Sequence, residues 1–499
     1  MDMLLSSLAN VFTPGAILAM LGGSAVGMLI GSMPGLSASM GVALFLPFTF
    51  GMDASSGILL LISIYCSAIY SGSISAILIN TPGTSAATAT LLDGFALTKK
   101  GKARKALDMS LQASVIGGLL SGVVLLAFAP QVARWALTFG PAEYFALGLM
   151  GLTIIAGVSS EGVVKGLVLG CFGFFISTIG VDPVSGITRF TLGVKDLISG
   201  VDQIPAMIGL FAIAEMFTQI ESGAMRLTGD VKIDKDRLSW REMLPFKSVI
   251  LKSSVIGMIV GAIPGTGSGT AAFLAYKTAK GSSKHPEEYG QGSLEALSAT
   301  ESANNAVTGA ALIPMLTLGI PGDAVTAILM GGLTIQGLAP GPQLFEKNGV
   351  LVYTIMIGFL VANIIMYFEG KLAIRGFSKI CNIPNYILIP VVICCCLVGA
   401  FAVHNSLYAV KVALVFGIIA YLISRFGYKN LVAVLIAIIL GPIVEQNFRR
   451  ALVLSGGSPS IFFTRPICLV IILISVGSIV WPLIKAHKKR TSAATKDKR

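Results

Sequence analysis

Four of the six Pro-Gly dipeptides lie within or beside apolar stretches and are trailed by small polar side chains. Pro34-Gly35 is followed by Ser37 and Ser39, Pro82-Gly83 by Thr84, Ser85 and Thr88, Pro264-Gly265 by Thr266, Ser268 and Thr270, and Pro321-Gly322 by Asp323 and Thr326. Proline removes a backbone donor and glycine relaxes the backbone, so a helix interrupted there leaves N–H and C=O groups that lipid cannot satisfy. A helix restarting after such a break turns unpaired N–H groups and the positive end of its dipole toward the gap, which favours an anion. Carbonyls freed on the other side suit a cation such as sodium. Gly, Ser and Thr also serve simply to let helices pack closely in a bilayer. Packing would account for any one of these motifs. Their recurrence in matching places favours a binding role for Gly35, Ser37, Gly83, Thr84, Gly265, Thr266, Ser268, Gly322 and Asp323.

The stretch ALSATESANNAVTGA, residues 296–310, is polar for its surroundings, and helical spacing puts Glu301 on one face with Asn304 and Asn305. An ionisable residue inside a membrane is expensive and usually functional, which makes these three candidates for coupling to an ion or a proton. The alternatives are an interhelical bond or a place at the cytoplasmic interface. Asp323 competes for the coupling role, or it caps the restarted helix. Asn80, just before Thr81-Pro82-Gly83, offers a side-chain oxygen to sodium, whereas the corresponding position near Gly319 has no side chain.

Other chemistry finds less support. GTGSGT at 265–270 resembles a phosphate loop, but no Gly-Lys-Ser/Thr follows and no parallel βα unit surrounds it. His285, His404 and His487 fall in predicted loops or the tail, with no Ser/His/Asp or His-x-x-x-His arrangement. A membrane-embedded transferase or hydrolase using the serines would have only Glu301 as its base. A channel whose breaks form a filter is a further alternative. No metal beyond sodium, no organic cofactor and no catalytic residue is expected.

The elements that must position these groups are membrane helices. The 499 residues are 54% hydrophobic and 12% charged, against about 25% charged in a soluble domain. Windows at 106–129, 203–220, 350–368, 384–402 and 466–484 carry almost no charge and are long enough to cross a hydrocarbon core. The start, MDMLLSSLAN, lacks the basic region and cleavage site of a signal peptide, so the first apolar segment is expected to remain. The net charge of +12 sits in short loops and the tail, a pattern that orients a membrane protein and meets anionic lipid rather than nucleic acid. The seven cysteines lie mostly in apolar segments and read as packing residues.

Loop charge assigns sides. KKGKARK at 99–105 is cytoplasmic, and alternation through helices near 106–129, 141–158, 160–180 and 203–220 returns the chain inside at 223–248, where Arg226, Lys232, Lys235, Arg237, Arg241 and Lys247 lie. Lys277, Lys280 and Lys284 are inside, 337–349 outside, and Lys371, Arg375, Lys379, Arg425, Lys429 and the tail inside. Arg449, Arg450 and Arg465 land outside, so either they are functional or the last spans are misplaced.

GMLIGSMPG at 27–35 and GMIVGAIPG at 257–265 begin two halves with the same order of break, helix, break, and their loops have opposite charge. The chain is therefore expected to be an all-α polytopic membrane protein of two inverted-topology repeats with Pro-Gly-broken or re-entrant helices plus additional transmembrane helices. The expected divisions are a first repeat at 1–222, a cytoplasmic linker at 223–248, a second repeat with C-terminal helices at 249–485, and a basic cytoplasmic tail at 486–499.

GSMPGLSASMGVALFLPFTFGMD, YSGSISAILINTPGTSAATATLLDGFALTKKGKARKAL, GAIPGTGSGTAAFLAYKTAK, ATESANNAVTGAALIPMLTLGIPGDAVTAILMGGLTIQG and RRALVLSGGSPSIFFTRP together resemble the large membrane subunit of the tripartite tricarboxylate transporter family, over nearly the whole chain. The resemblance implies a permease of the bacterial inner membrane that works with a small four-helix membrane subunit and a periplasmic substrate-binding protein. It implies uptake of organic acids driven by a sodium or proton gradient, with substrate at the paired Pro-Gly segments. No cationic side chain stands beside the four breaks in sequence, so backbone N–H groups and hydroxyls are expected to carry most of the carboxylate recognition.

Overall fold

The computed structural model describes residues 2–158, 162–182, 185–222, 233, 236–374, 385–428 and 431–496. Arg226, Lys232, Lys235, Arg375, Lys379, Cys381 and Lys429, and with them most of the predicted linker, lie outside the described residues. Among the described residues the chain is all-α apart from one two-residue antiparallel pairing, Gly180–Val181 with Thr188–Arg189. Nine helices among the described residues are long and apolar enough to cross a membrane, in keeping with the polytopic expectation. One of them runs from Trp240 to Ala262, so helix begins within the stretch expected to be linker.

Two long helix pairs carry the repeated motifs. Helix Pro14–Ser32 lies along Ala54–Ile79, and Lys247–Ala262 lies along Leu294–Leu318. Glycine at four-residue spacing sets the approach. A Cβ at Gly23, Gly27 or Gly31 would stand 2.4, 2.5 and 2.3 Å from the carbonyl oxygens of Leu60, Ile64 and Ala68. At Gly257 and Gly261 it would stand 2.2 and 2.8 Å from those of Ala303 and Val307. This is the small-residue packing that membrane helices use where hydrophobic burial gives no net drive.

The breaks repeat in backbone detail. Pro14–Ser32 ends at Met33 (φ −89°, ψ 120°), and Lys247–Ala262 ends at Ile263 (φ −90°, ψ 115°). Each is followed by Pro and then a left-handed glycine, Gly35 at φ +86° and Gly265 at φ +80°. Ala54–Ile79 ends at left-handed Asn80 (φ 55°, ψ 33°), and Leu294–Leu318 ends at left-handed Gly319 (φ 69°, ψ 26°). Asn is among the few side chains that tolerate this conformation, which accounts for the unlike residues at matching positions.

Polar side chains cap the helices that follow the first and fourth breaks, and also helix Ala54–Ile79. Ser37 Oγ accepts from Met40 N at 3.1 Å, Asp53 Oδ1 from Ser56 N at 3.0 Å, and Asp323 Oδ1 from Thr326 N at 2.8 Å. The two halves also touch end to end. Gln336 Nε2, after helix Ala324–Ile335, donates to Thr49 O at 2.7 Å near the start of Ala54–Ile79. Reciprocally, Asp93 on helix Leu91–Lys99 accepts from the N–H groups of Gly292 at 2.9 Å and Ser293 at 2.7 Å, at the start of Leu294–Leu318. Helix Ala103–Ala136 closes against Leu294–Leu318. Helices Pro141–Val158, Val163–Ser177, Leu431–Leu454 and Pro466–Lys496 pack on one another and join the same core.

Candidate functional site

Glu301 is fully buried, on the face of Leu294–Leu318 that meets Ala103–Ala136. Its carboxylate accepts hydrogen bonds from the hydroxyls of Thr90, Ser110 (3.2 Å) and Ser114 (3.1 Å). Ser110 and Ser73 share a further hydroxyl contact at 2.6 Å. Asn305 Nδ2 donates to Ser114 Oγ at 2.8 Å and to Asn304 Oδ1 at 2.6 Å, so the three predicted residues form one cluster. Asn304 Nδ2 and Asn305 Oδ1 are buried without a hydrogen-bond partner. No Lys or Arg among the described residues pairs with Glu301. A buried carboxylate without a cation costs several kcal/mol, and binding a proton or a metal cation removes that cost. Hydroxyl, amide and carboxylate oxygens are the donors that hard cations take.

The breaks meet pairwise within each half. Gly265 N donates to Gly322 O at 2.7 Å. Gly83 N donates to Gly72 O at 3.0 Å, and a Cβ on Gly83 would stand 1.9 Å from Gly31 O, just before the first break. Gly83 and Gly322 are both buried against helices, Gly322 on Ala311, so close packing by itself requires glycine there. Thr84 is buried with its hydroxyl unpartnered. Thr266 turns its hydroxyl onto Val260 O and Ile263 O. Ser268 is buried at the start of helix Gly267–Ser282. Asp323 caps its helix and accepts from Tyr65 OH at 2.6 Å. Asn80 is exposed and makes none of the hydrogen bonds of the Glu301 cluster.

The first break opens on a cavity of about 390 Å³, lined in part by Ser37, Glu215, Thr218, Tyr421, Ser424 and Arg425. Gly35 is exposed, and its carbonyl accepts from Gln219 Nε2 at 2.9 Å. Arg425 pairs with Glu221 at 3.2 Å, and Tyr421 OH donates to Glu221 at 2.9 Å. A cationic side chain that is remote in sequence therefore stands near the first break. Arg425, far away in sequence, lines the same cavity as Ser37, because helix Leu407–Arg425 packs on the π-helical turn Ile208–Ile213 and the helix that follows it. Hydroxyls, a guanidinium and a helix N-terminus can hold a carboxylate.

Residues 17–435 match the family described as Tripartite tricarboxylate transporter TctA family. This chain belongs to that family. It is 32% identical over 468 residues, 94% of this chain and 93% of the relative, to an uncharacterized 52.8 kDa protein in the TAR-I ttuC' 3' region of Agrobacterium vitis. It is 31% identical over 234 residues, 47% of this chain and 96% of the relative, to an uncharacterized protein in the TAR-II ttuC' 3' region of the same organism. No solved structure matches. As a TctA-family chain it is a multi-pass membrane component of a tripartite transport system, and the family is one of transporters, not enzymes.

Three features of this TctA-family chain escape sequence reasoning. Thr90, Ser110 and Ser114 come to Glu301 from about 190 to 210 positions away. Asp93 is buried and clasps the 290–293 turn, and its only signal is a lone acid in the apolar run TLLDGF. Glu215 and Gln219, spaced i,i+4, reach Gly35. The outward-assigned arginines find carboxylates: Arg449 pairs with Asp182 (2.8 Å) and Glu445 (3.0 Å), and Arg465 with Glu143 (2.8 Å). Charge counting puts the loops of Asp182 and Glu143 on that same face. Arg450 is exposed, with no acidic partner among the described residues.

Proposed function

We propose that this chain is the large permease subunit of a bacterial inner-membrane importer of organic acids, tri- or dicarboxylates, driven by a sodium or proton gradient. In this reading a small four-helix membrane subunit and a periplasmic substrate-binding protein complete the system, and the binding protein delivers substrate. The observation that carries it is the buried Glu301, held by hydroxyls with no cation beside it, in a helix that ends at one of the repeated breaks. Such a carboxylate changes its binding free energy most when a proton or sodium arrives, which is what coupling requires.

The organic acid binds at the breaks, with Ser37 in the cavity that Arg425 also lines, and with Gly35, Gly83, Thr84, Gly265, Thr266, Ser268, Gly322 and Asp323 as the further binding residues. Asn304 and Asn305 complete the ion site, and Asn80 is a secondary candidate. Inverted topology of the two halves is supported by the reciprocal contacts of Gln336 with Thr49 and of Asp93 with Ser293, which join the end of each half to the start of the other's long helix. The halves then alternate access around the breaks. The basic tail favours a cytoplasmic C-terminus.

The test is uptake of labelled citrate and a four-carbon dicarboxylate into vesicles holding this chain, its small subunit and its binding protein. Accumulation above equilibrium under an imposed sodium or proton gradient supports coupling. Uptake that only equilibrates would replace the transporter with an anion channel.

A further inference from the structure

A groove of about 380 Å³ runs beside the segment Trp240–Ala262 and reaches Ile116 on helix Ala103–Ala136. Met243, Leu244, Ile250 and Leu251 give it an aliphatic wall, and Leu244 and Leu251 are 61% and 51% exposed. Its remaining lining is Trp240, Arg241 and Lys247, all from the N-terminal end of the segment. Apolar wall and positive charge are thus separated along one groove.

The two cations are conspicuous beside their neighbour. Lys105 is matched by Asp236 at 3.0 Å and Glu242 at 3.3 Å, whereas Arg241 and Lys247 have no acidic partner among the described residues. Trp240 Nε1 donates to Tyr367 OH at 3.1 Å, and Lys371 Nζ donates to the same hydroxyl at 3.1 Å. Indole, phenol and ammonium groups gathered at helix ends mark the depth where a bilayer meets water. A groove that is positive at that depth and aliphatic below it matches an amphiphile with an anionic head.

We infer that this groove is a binding site for an anionic phospholipid, whose phosphate lies between Arg241 and Lys247 and whose acyl chain follows Leu244, Leu251 and Ile116. The site is separate from the transport cavity and goes beyond the proposed transport activity. Two cations near a membrane surface favour an anionic over a zwitterionic headgroup on the order of tenfold in local occupancy.

Trp240 is its own reporter. With the other two tryptophans replaced (Trp135→Phe, Trp481→Phe), the full chain is reconstituted in phosphatidylcholine vesicles containing an equal small fraction of brominated phosphatidylglycerol or brominated phosphatidylcholine. Bromine quenches indole fluorescence on contact. The expected result is several-fold stronger quenching by the brominated phosphatidylglycerol, with the preference abolished in Arg241→Gln/Lys247→Gln. Equal quenching by the two lipids overturns the inference, as does a preference that survives the double substitution. Quenching by neither lipid also overturns it.

Discussion

Tyr65 Oη donates to Asp323 Oδ2 at 2.6 Å, joining the middle of the first half's long helix to the cap of the second half's restarted helix. The same carboxylate accepts from Thr326 N at 2.8 Å through its other oxygen, so Asp323 is a cap and a tie at once. Tyr65→Phe leaves one buried carboxylate oxygen unpartnered and is expected to cost about 1 to 3 kcal/mol, read as a lowered midpoint of thermal unfolding in detergent. Asp323→Asn keeps a capping oxygen and is expected to retain the ion dependence of uptake, whereas Asp323→Ala loses roughly 1 kcal/mol more in stability.

Glu301→Gln keeps the shape and removes the charge. The expected outcome is folded protein whose uptake no longer responds to the coupling gradient, with substrate affinity changed much less. Ser114→Ala removes one of the carboxylate's donors and also the partner of Asn305, so ion affinity is expected to fall by roughly tenfold, which corresponds to one lost charge-assisted hydrogen bond. Ion titrations of uptake at fixed substrate read both.

Gly35 and Gly83 separate function from packing. Gly83→Ala would push a methyl group into Gly31 O and is expected to lower folded yield sharply. At Gly35, φ is +86° and the nearest obstacle is the movable side chain of Gln219. Gly35→Ala is therefore expected to cost about 1 kcal/mol in stability while impairing uptake severely. Size-exclusion profiles and uptake on the same preparations distinguish the two.

Arg425 is 63% exposed in its pair with Glu221, so Arg425→Gln is expected to change stability by less than about 1 kcal/mol. Loss of a charged contact to a substrate carboxylate is expected to raise KM on the order of tenfold, with the maximal rate less affected. A KM unchanged for every transported acid would remove Arg425 from the substrate cavity.

The sequence made the helix breaks legible because proline and glycine act locally, and their consequence for backbone hydrogen bonding needs no tertiary knowledge. The cluster of Glu301, Asn304 and Asn305 was legible for the same reason, since one helical turn places them together. Its hydroxyl partners were not, because Ser110 and Ser114 meet Glu301 only through the packing of two helices remote in sequence. Arg425 was hidden more thoroughly. Loop charge placed it on the cytoplasmic side, but only the fold swings the end of its helix over Ser37. Asn80 shows the opposite limit: its amide reads as an ion ligand in sequence, while its left-handed backbone supplies a conformational reason for the residue.

The most direct test of ion-coupled carboxylate uptake is a comparison of wild type and Glu301→Gln in vesicles with both partner subunits, each measured under a sodium gradient, a proton gradient and no gradient. The expected result is accumulation of a labelled organic acid under one gradient by the wild type, and no gradient-driven accumulation by Glu301→Gln although the variant still exchanges substrate. Equal accumulation by both proteins would contradict the assignment of coupling to Glu301, and absence of accumulation by the wild type under either gradient would contradict coupled uptake itself.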